Sequence, residues 1–264
     1  MKLEKNEYEN IPKLYIPKDM HNKNKLFIKD GVIYKIFNDN SFIDEIERNI
    51  TFLISNPVPN TPIIYNKIHE GNSFVGYTMQ YIPNAITFRQ GIKEDIPLDA
   101  KINAIREVYE AMKYLHSFNI YLGDIHSDNM LASSDGHGYL IDLEELRFPG
   151  DEWKFRQCYL VKPNDASKRI NMPSIYTDNV KLMISSLSLL LCVDLEKYIS
   201  KSSHDINLEQ LCEEIILPLN DSNLNEYFSK LMNVDNVEYF SDYYFSKQKL
   251  DIAKKERRNY KWKK

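Results

Sequence analysis

A short polar loop between two apolar segments constrains this chain more than any other feature. Residues 123–131 read Gly-Asp-Ile-His-Ser-Asp-Asn-Met-Leu, and residues 139–144 read Tyr-Leu-Ile-Asp-Leu-Glu. Asp124 and Asn129 are close enough in sequence for one turn of backbone to aim both side chains into one cleft. The hairpin expected after Asn129 then returns Asp142, at the end of its apolar strand, to the same place.

The chemistry of these three side chains suits phosphoryl transfer. A carboxylate, Asp124, would orient an attacking hydroxyl, and Asn129 and Asp142 would hold a metal ion against the phosphates of ATP. Carboxylate and carboxamide oxygens favour a hard cation, Mg²⁺ or Mn²⁺. An Asp-x₄-Asn pair by itself is also common in surface turns, so the context has to decide.

The two motifs resemble those of the protein-kinase-like superfamily, which includes protein kinases and the aminoglycoside and choline kinase-type enzymes. The family's catalytic loop reads His-Arg-Asp-x₄-Asn, and its metal motif reads Asp-Phe-Gly. Here Leu122 and Gly123 replace the histidine and arginine, and Glu144 replaces the last glycine. The Gly-Asp-x-His form is similar to that of the small-molecule kinases. His126 takes the place where protein Ser/Thr kinases often carry a lysine, and imidazole is a poorer fixed charge near neutral pH.

The first third of the chain fits the same resemblance. Lys35 lies in the apolar strand predicted over 32–37, where an ammonium group needs a partner unless it reaches the surface. The resemblance implies that this lysine grips the α- and β-phosphates and pairs with a helix glutamate. On the helix predicted over 41–55, Glu47 is the expected partner. Glu45 is the alternative, because residues two apart on a helix point in different directions.

The segment 74–83 resembles the strand and hinge that bind adenine in this family. Met79 would lie at the back of the pocket, and backbone groups of Gln80 and Ile82 would pair with the adenine edge. An ordinary core strand is the alternative. No glycine precedes Gly31, so the glycine-rich phosphate loop of the family is missing, and Lys23 and Lys25 are candidates to supply charge in its place.

Two long helices are predicted by apolar spacing, over 99–117 and 176–192. The first resembles the helix that leads into the catalytic loop, and its His116 is expected to be structural. The second resembles the central helix of the large kinase lobe, whose first-turn aspartate, here Asp178, binds the catalytic-loop backbone. A simple helix N-cap is a compatible interpretation of Asp178. The charged stretch between Asp142 and Asp178 is either a substrate-docking segment or a solvated loop.

These observations predict an α+β fold of the bilobal protein-kinase-like type. A single domain would comprise a small β-rich N-lobe with one main helix, residues 1–83, and a larger, mainly helical C-lobe, residues 84–264. The boundary is expected near Pro83-Asn84. An apolar content of 43% supports a substantial core.

Composition excludes several other classes of protein. The net charge of −4 provides no basic field for nucleic acid. The basic stretch 254–264 is typical of a solvated helix end, and contact with an acidic partner or a lipid surface is the alternative. The three cysteines have no metal-ligand spacing, and the N-terminus has no apolar signal region, which favours a reducing cytoplasm. The apolar run 176–192 is too short and too rich in serine to span a bilayer.

The sequence therefore predicts an ATP- and Mg²⁺-dependent kinase that phosphorylates a hydroxyl group, with a protein Ser/Thr as the first expectation for the acceptor. A small-molecule acceptor is the second hypothesis, favoured by Gly123 and His126. A pseudokinase that acts as a binding module is the third, suggested by the missing glycine loop and by Glu144.

Overall fold

The computed structural model describes residues 11–12, 24–38, 42–152, 159–161, 169–170, 173–198, 205–233 and 238–246. Four expectations concern residues outside these ranges: the helix-capping position 41, the charge of Lys23, most of the stretch 153–172 and the basic segment 254–264.

The first part of the chain is a four-stranded antiparallel sheet with one helix against it. The strands are β1 (Lys25–Lys29), β2 (Val32–Ile36), β3 (Ile64–Glu70) and β4 (Ser73–Gln80), in the order β1-β2-β4-β3. Lys35 of β2 pairs with Tyr77 of β4 in the ladder. Gly76 allows this close approach, because a Cβ at that position would lie 2.1 Å from the carbonyl oxygen of Lys35.

Helix α1 (Ile43–Ser55) covers one face of this sheet. Its buried side chains, Ile46, Asn49, Ile50 and Leu53, recur at helical spacing, which explains why this segment is a helix with one inward face. The predicted helix is confirmed, with its first residue two positions later than expected.

The chain then forms two small antiparallel sheets and two helices. Strands β5 (Ala85–Thr87), β7 (Met130–Ser133) and β8 (Gly138–Leu140) make one sheet, and β6 (Tyr121–Leu122) pairs with β9 (Leu146–Arg147). Helix α2 (Phe88–Gly91) is short, and helix α3 (Leu98–Ser117) is the longest helix described. The hairpin expected after Asn129 is confirmed as β7–β8, with Met130 opposite Leu140.

The last part of the described chain is mainly helical. Strands β10 (Tyr159–Val161), β11 (Arg169–Ile170) and β12 (Asp205–Asn207) form a three-stranded sheet with β10 at its centre. The helices are α4 (Ile175–Leu191), a 3₁₀ turn (Leu195–Tyr198), α5 (Leu208–Leu211) continued by a π turn (Cys212–Ile216), α6 (Ser222–Asn233) and α7 (Phe240–Ser246). None of the helices that the structure describes is long and apolar enough to cross a membrane.

Helix α4 lies at the centre of this part and is buried on nearly every side. Ser174 caps it, because its hydroxyl accepts from the amide of Thr177 while the Thr177 side chain accepts from the amide of Ser174. Asp178 therefore does not cap the helix, and its carboxylate is available for another contact. One apolar core connects the sheet, α1, α3 and α4. The fold is α+β, as expected.

Candidate active site

The loop after β6 holds Asp124 and Asn129 together. The Asn129 side-chain amide donates to the backbone carbonyl of Asp124 over 2.9 Å and to its carboxylate over 3.1 Å. Burial opposes the charge of this carboxylate, but His126, Lys181 and Asn129 together hold the pKa of Asp124 below its usual value. Asp124 is therefore an ionised hydrogen-bond acceptor at neutral pH.

Two side chains of helix α4 bind the backbone at the start of this loop. Asp178 accepts a hydrogen bond from the amide of Leu122 over 2.7 Å and another from Nε2 of His116 over 2.9 Å. Lys181, one turn further along α4, donates to the carbonyl of Gly123 over 3.2 Å. The expected contact between Asp178 and the loop backbone is confirmed, and so is the structural part played by His116.

The β7–β8 hairpin carries Asp142 back to this loop. The amide of Ile141 donates to the carbonyl of Asn129 over 2.9 Å, so the residues next to Asp142 and Asn129 are directly linked. Asp142 has a left-handed backbone with φ of 58°. Such a conformation costs energy in a residue other than glycine and is common at functional sites. A small pocket beside the hairpin is lined by Asp124, Asp142 and Glu145, among others.

Lys35 meets two carboxylates on the segment that follows β8. Its Nζ lies 2.9 Å from Oδ1 of Asp142 and donates to Oε1 of Glu144. The hydroxyl of Tyr77 donates to the other oxygen of Glu144 over 3.2 Å. Burial alone would lower the pKa of Lys35, but Asp142 and Glu144 raise it well above its usual value. The lysine is a fixed cation, only 1% exposed.

The expected ion pair between Lys35 and Glu47 is wrong. Glu47 accepts from Nζ of Lys67 over 2.7 Å and lies 3.4 Å from Nε2 of His69, both on β3. The hydrogen bond from Lys67 lowers the pKa of Glu47. The physical reason is helical register: the inward face of α1 is the one that carries Asn49, and Glu47 lies on a different face. The alternative residue, Glu45, does not contact Lys35 either.

His126 lies between two aspartates of the loop. Its Nε2 is 3.4 Å from the carboxylate of Asp124, and its Nδ1 is 3.7 Å from that of Asp128. Burial lowers the proton affinity of the ring, but Asp124, Glu196 and Asp128 raise the pKa of His126 to about 9. The backbone amide of Asp128 also donates to Nδ1 over 3.2 Å, a bond that needs this nitrogen unprotonated, so the proton on Nε2 is the one that faces Asp124.

A charged cluster that sequence reasoning missed supports the middle of the loop. Arg89 of α2 donates to Asp128 over 2.8 Å, to Asp194 over 3.2 Å and also to Glu196. Glu196 in turn accepts from both the amide and the hydroxyl of Ser127, each over 2.6 Å. These residues lie far apart in the sequence, so no local pattern could have identified them.

Glu145 is a second acidic residue of the cleft that sequence reasoning passed over. Burial and the neighbouring charges of Asp124 and Glu144 raise its pKa to about 8. Its backbone carbonyl accepts from the amide of Gly123 over 3.0 Å, which joins the segment after Asp142 to the loop that carries Asp124.

The segment expected to bind adenine lies at the end of β4. Met79 is buried opposite Ile33 of β2, as a residue at the back of a pocket should be. The amide of Gln80 donates to the carbonyl of Ile63 over 2.8 Å, so a nucleotide would have to meet the carbonyl of Gln80. Ile82 follows in the connection to β5 and is also buried.

The expected phosphate-loop region can be placed only at its two ends. The amide of Ile28 donates to the carbonyl of Pro12 over 3.0 Å, so residues 11–12 run beside β1. The connection between them, residues 13–23, lies outside the described residues and includes Lys23. Lys25 is exposed at the start of β1.

Asn129 and Asp142 are the residues that could hold a divalent cation here. The amide nitrogen of Asn129 is occupied by Asp124, so Oδ1 is the atom that Asn129 could offer to a cation. The single positive charge of Lys35 neutralises only one of the two carboxylates, Asp142 and Glu144. Within the described ranges no group of three His, Cys, Asp or Glu residues is placed to hold a metal ion, so phosphates and water would have to complete the coordination.

Neither a protein-family model nor a curated protein matches this chain. The geometry described above is therefore the basis on which its function has to be argued.

Proposed function

We propose that the protein is an ATP- and divalent-cation-dependent kinase that transfers the γ-phosphoryl group to a hydroxyl, on a bilobal protein-kinase-like framework. The observation that carries this proposal is the meeting of three distant segments at one cleft. Lys35 from β2 contacts Asp142 after β8, and the backbone beside Asp142 is bonded to Asn129, which holds Asp124. A cation, a carboxamide and two carboxylates so arranged suit phosphoryl transfer.

Each residue has a defined part in this proposal. Asp124, kept ionised by its neighbours, would accept a hydrogen bond from the acceptor hydroxyl and orient it. Lys35 would hold the α- and β-phosphates, and Asn129 and Asp142 would ligate the metal. Mg²⁺, when bound, neutralises phosphate charge and polarises the γ-phosphoryl group. His126 would add positive charge beside the transferred group.

The nucleotide base would lie against the end of β4. Met79 would form the back of its pocket, and the carbonyl of Gln80 and the backbone of Ile82 would meet the adenine edge. Burial of Met79 at the end of β4 supports this placement.

A protein Ser/Thr hydroxyl remains the first proposal for the acceptor. One observation favours the second candidate, a small-molecule acceptor. Strand β10 is paired on both sides, with β11 and with β12, so an extended peptide cannot add to it as a neighbouring strand.

The free thiols of Cys192 and Cys212 support a reducing, cytoplasmic location.

The proposal is tested by incubating the protein with γ-labelled ATP and Mg²⁺, alone and with a cell lysate. Mass spectrometry then searches for phosphorylated proteins and metabolites, with Asp124→Asn as the matched control. We expect transfer by the wild type and none by Asp124→Asn, which should still bind ATP. A labelled metabolite without protein phosphosites would select the small-molecule acceptor. Tight ATP binding with no transfer by either protein would select the pseudokinase.

A further inference from the structure

We propose that Glu144 is the residue that positions Lys35 for the nucleotide, in place of a carboxylate on helix α1. This inference rests on the proposed function. It assigns a role to the residue that replaces the last glycine of the family's metal motif. Glu144 would not touch the substrate, so it is a positioning residue and acts only through Lys35.

Both carboxylate oxygens of Glu144 are engaged by neighbours. Oε1 accepts from Nζ of Lys35, and Oε2 accepts from the hydroxyl of Tyr77 over 3.2 Å. Lys35 and Tyr77 are paired in the β2–β4 ladder, so the sheet presents both donors from one place. Residue Glu144 is only 7% exposed, and a buried carboxylate with two such bonds keeps one rotamer.

The backbone of Glu144 is held as firmly as its side chain. The side-chain amide of Asn49, fully buried on α1, donates to the carbonyl of Glu144 over 2.7 Å and to that of Leu146 over 3.1 Å. Asn49 of helix α1 therefore holds the backbone of residues 144–146, and the carboxylate of Glu144 in turn holds Lys35. This exchange explains why Glu47 is free to pair with Lys67 at the surface side of the helix.

Asp142 and Glu144 share one ammonium group but differ in their access to the cleft. The side chain of Asp142 is 29% exposed, whereas that of Glu144 is 10% exposed. Asp142 is the carboxylate that can turn towards a metal, and Glu144 is the one that stays with Lys35. If Asp142 leaves, the ammonium remains aimed by Glu144 and can meet phosphate oxygens in its place.

A double-mutant cycle tests this division of labour. MgATP affinity is measured by calorimetry for wild type, Lys35→Met, Glu144→Gln and the double variant, and kcat is measured for the two single variants. We expect Lys35→Met to weaken MgATP binding about tenfold or more in the wild-type background. In the Glu144→Gln background the same change should weaken it by about threefold or less, because the lysine is no longer aimed. Glu144→Gln alone should lower kcat by about thirtyfold or more.

The matched cycle uses Glu47→Gln, which removes the same charge from the position where sequence reasoning expected the partner. Lys35→Met should keep its full effect in that background. Equal losses from Lys35→Met in the wild-type and Glu144→Gln backgrounds would overturn the inference, as would coupling to Glu47 in place of Glu144.

One further variant, together with MgATP binding by the wild type, keeps the outcomes distinct. If Glu144→Gln does not fold, Tyr77→Phe removes only the hydroxyl on Oε2 and should lower kcat by about two- to tenfold, with a smaller coupling of the same sign. No change in Tyr77→Phe would then count against the inference. A wild-type protein that binds no MgATP refutes the proposed function itself, and the inference falls with it. A wild type that binds MgATP with an additive cycle refutes only the inference.

Discussion

The amide of Leu122 donates to the carboxylate of Asp178 over 2.7 Å, and this bond joins the start of the loop that carries Asp124 to helix α4, which is buried along nearly its whole length. Nε2 of His116 donates to the same oxygen over 2.9 Å, so one carboxylate oxygen joins α3, the loop and α4. The position of Asp124 is thus set by a rigid element rather than by the loop alone.

Replacing Asp178 should therefore damage both stability and transfer. Asp178→Ala removes a fully buried acceptor and leaves the amide of Leu122 and the ring of His116 without it. We expect a loss of about 3 kcal/mol in the free energy of unfolding, measured by urea denaturation. Glu226→Ala, which breaks an exposed pair with Lys230, is the control and should cost about 0.5 kcal/mol or less. Similar losses for the two variants would contradict this account of the loop.

The proposed metal site makes a separate prediction. Asp142 has one carboxylate oxygen on Lys35, and Asn129 has its oxygen available, so ATP should raise the melting temperature more with Mg²⁺ than without it. Asp142→Ala should remove that Mg²⁺-dependent difference while some stabilisation by ATP remains. The measurement is a thermal melt with ATP, with and without Mg²⁺ and with a chelator. A difference that persists in Asp142→Ala would exclude Asp142 as a ligand.

The pH dependence of stability should report on His126. Its pKa is raised from 6.5 to about 9 in the folded protein, so the folded state binds the proton more tightly than the unfolded state. The resulting stabilisation is fully present below about pH 6.5 and is lost as pH rises through about 9. The measurement is the free energy of unfolding of wild type minus that of His126→Gln between pH 6 and about 9.5. The difference should shrink steadily with pH, and a constant difference would contradict it.

Sequence reasoning found the parts of the site that local chemistry dictates. Asp124 and Asn129 share one short loop, and Asp142 follows from the hairpin, so their spacing alone brings them together. Asp178 was found because a first-turn aspartate beneath that loop belongs to the resemblance. Lys35 was found because a lysine in an apolar strand needs a partner.

The partner of that lysine was not found, and the reason is geometric. Several acidic residues were available, and which of them meets Lys35 depends on the rotation of α1 against the sheet. In the sequence Glu144 is a departure from the family's metal motif, and it is the turn at residues 143–144 that brings its carboxylate to Lys35. Lys181 has a weak signal in the sequence, since it lies one helical turn from Asp178 and these two are the charged residues of α4.

The cluster around Arg89 provides the last prediction. A change in this cluster should affect the loop that carries Asp124 without affecting the binding of the nucleotide. Glu196 accepts from Ser127 through one oxygen and from Arg89 through the other. In Glu196→Gln an amide would face the guanidinium of Arg89, and two donors opposed in a partly buried site repel each other. Residues around Ser127 should then shift, together with His126 and the acceptor side of the cleft. The segment expected to bind adenine, at Met79, has no contact with this cluster among the contacts described.

Glu196→Gln should therefore lower kcat by about tenfold or more while leaving the KM for ATP within about twofold of the wild-type value. Asp194→Asn is the matched control, because it removes a carboxylate charge from the same arginine without touching Ser127. The side chain of Asp194 is 49% exposed, so water can replace its contact and the change in kcat should be small. Steady-state kinetics with the acceptor identified by mass spectrometry provides the measurement. Equal losses in the two variants would mean that total charge around Arg89 matters and that the contact between Glu196 and the loop does not. A rise in the KM for ATP in Glu196→Gln would mean that the loop and the nucleotide site are not separately supported.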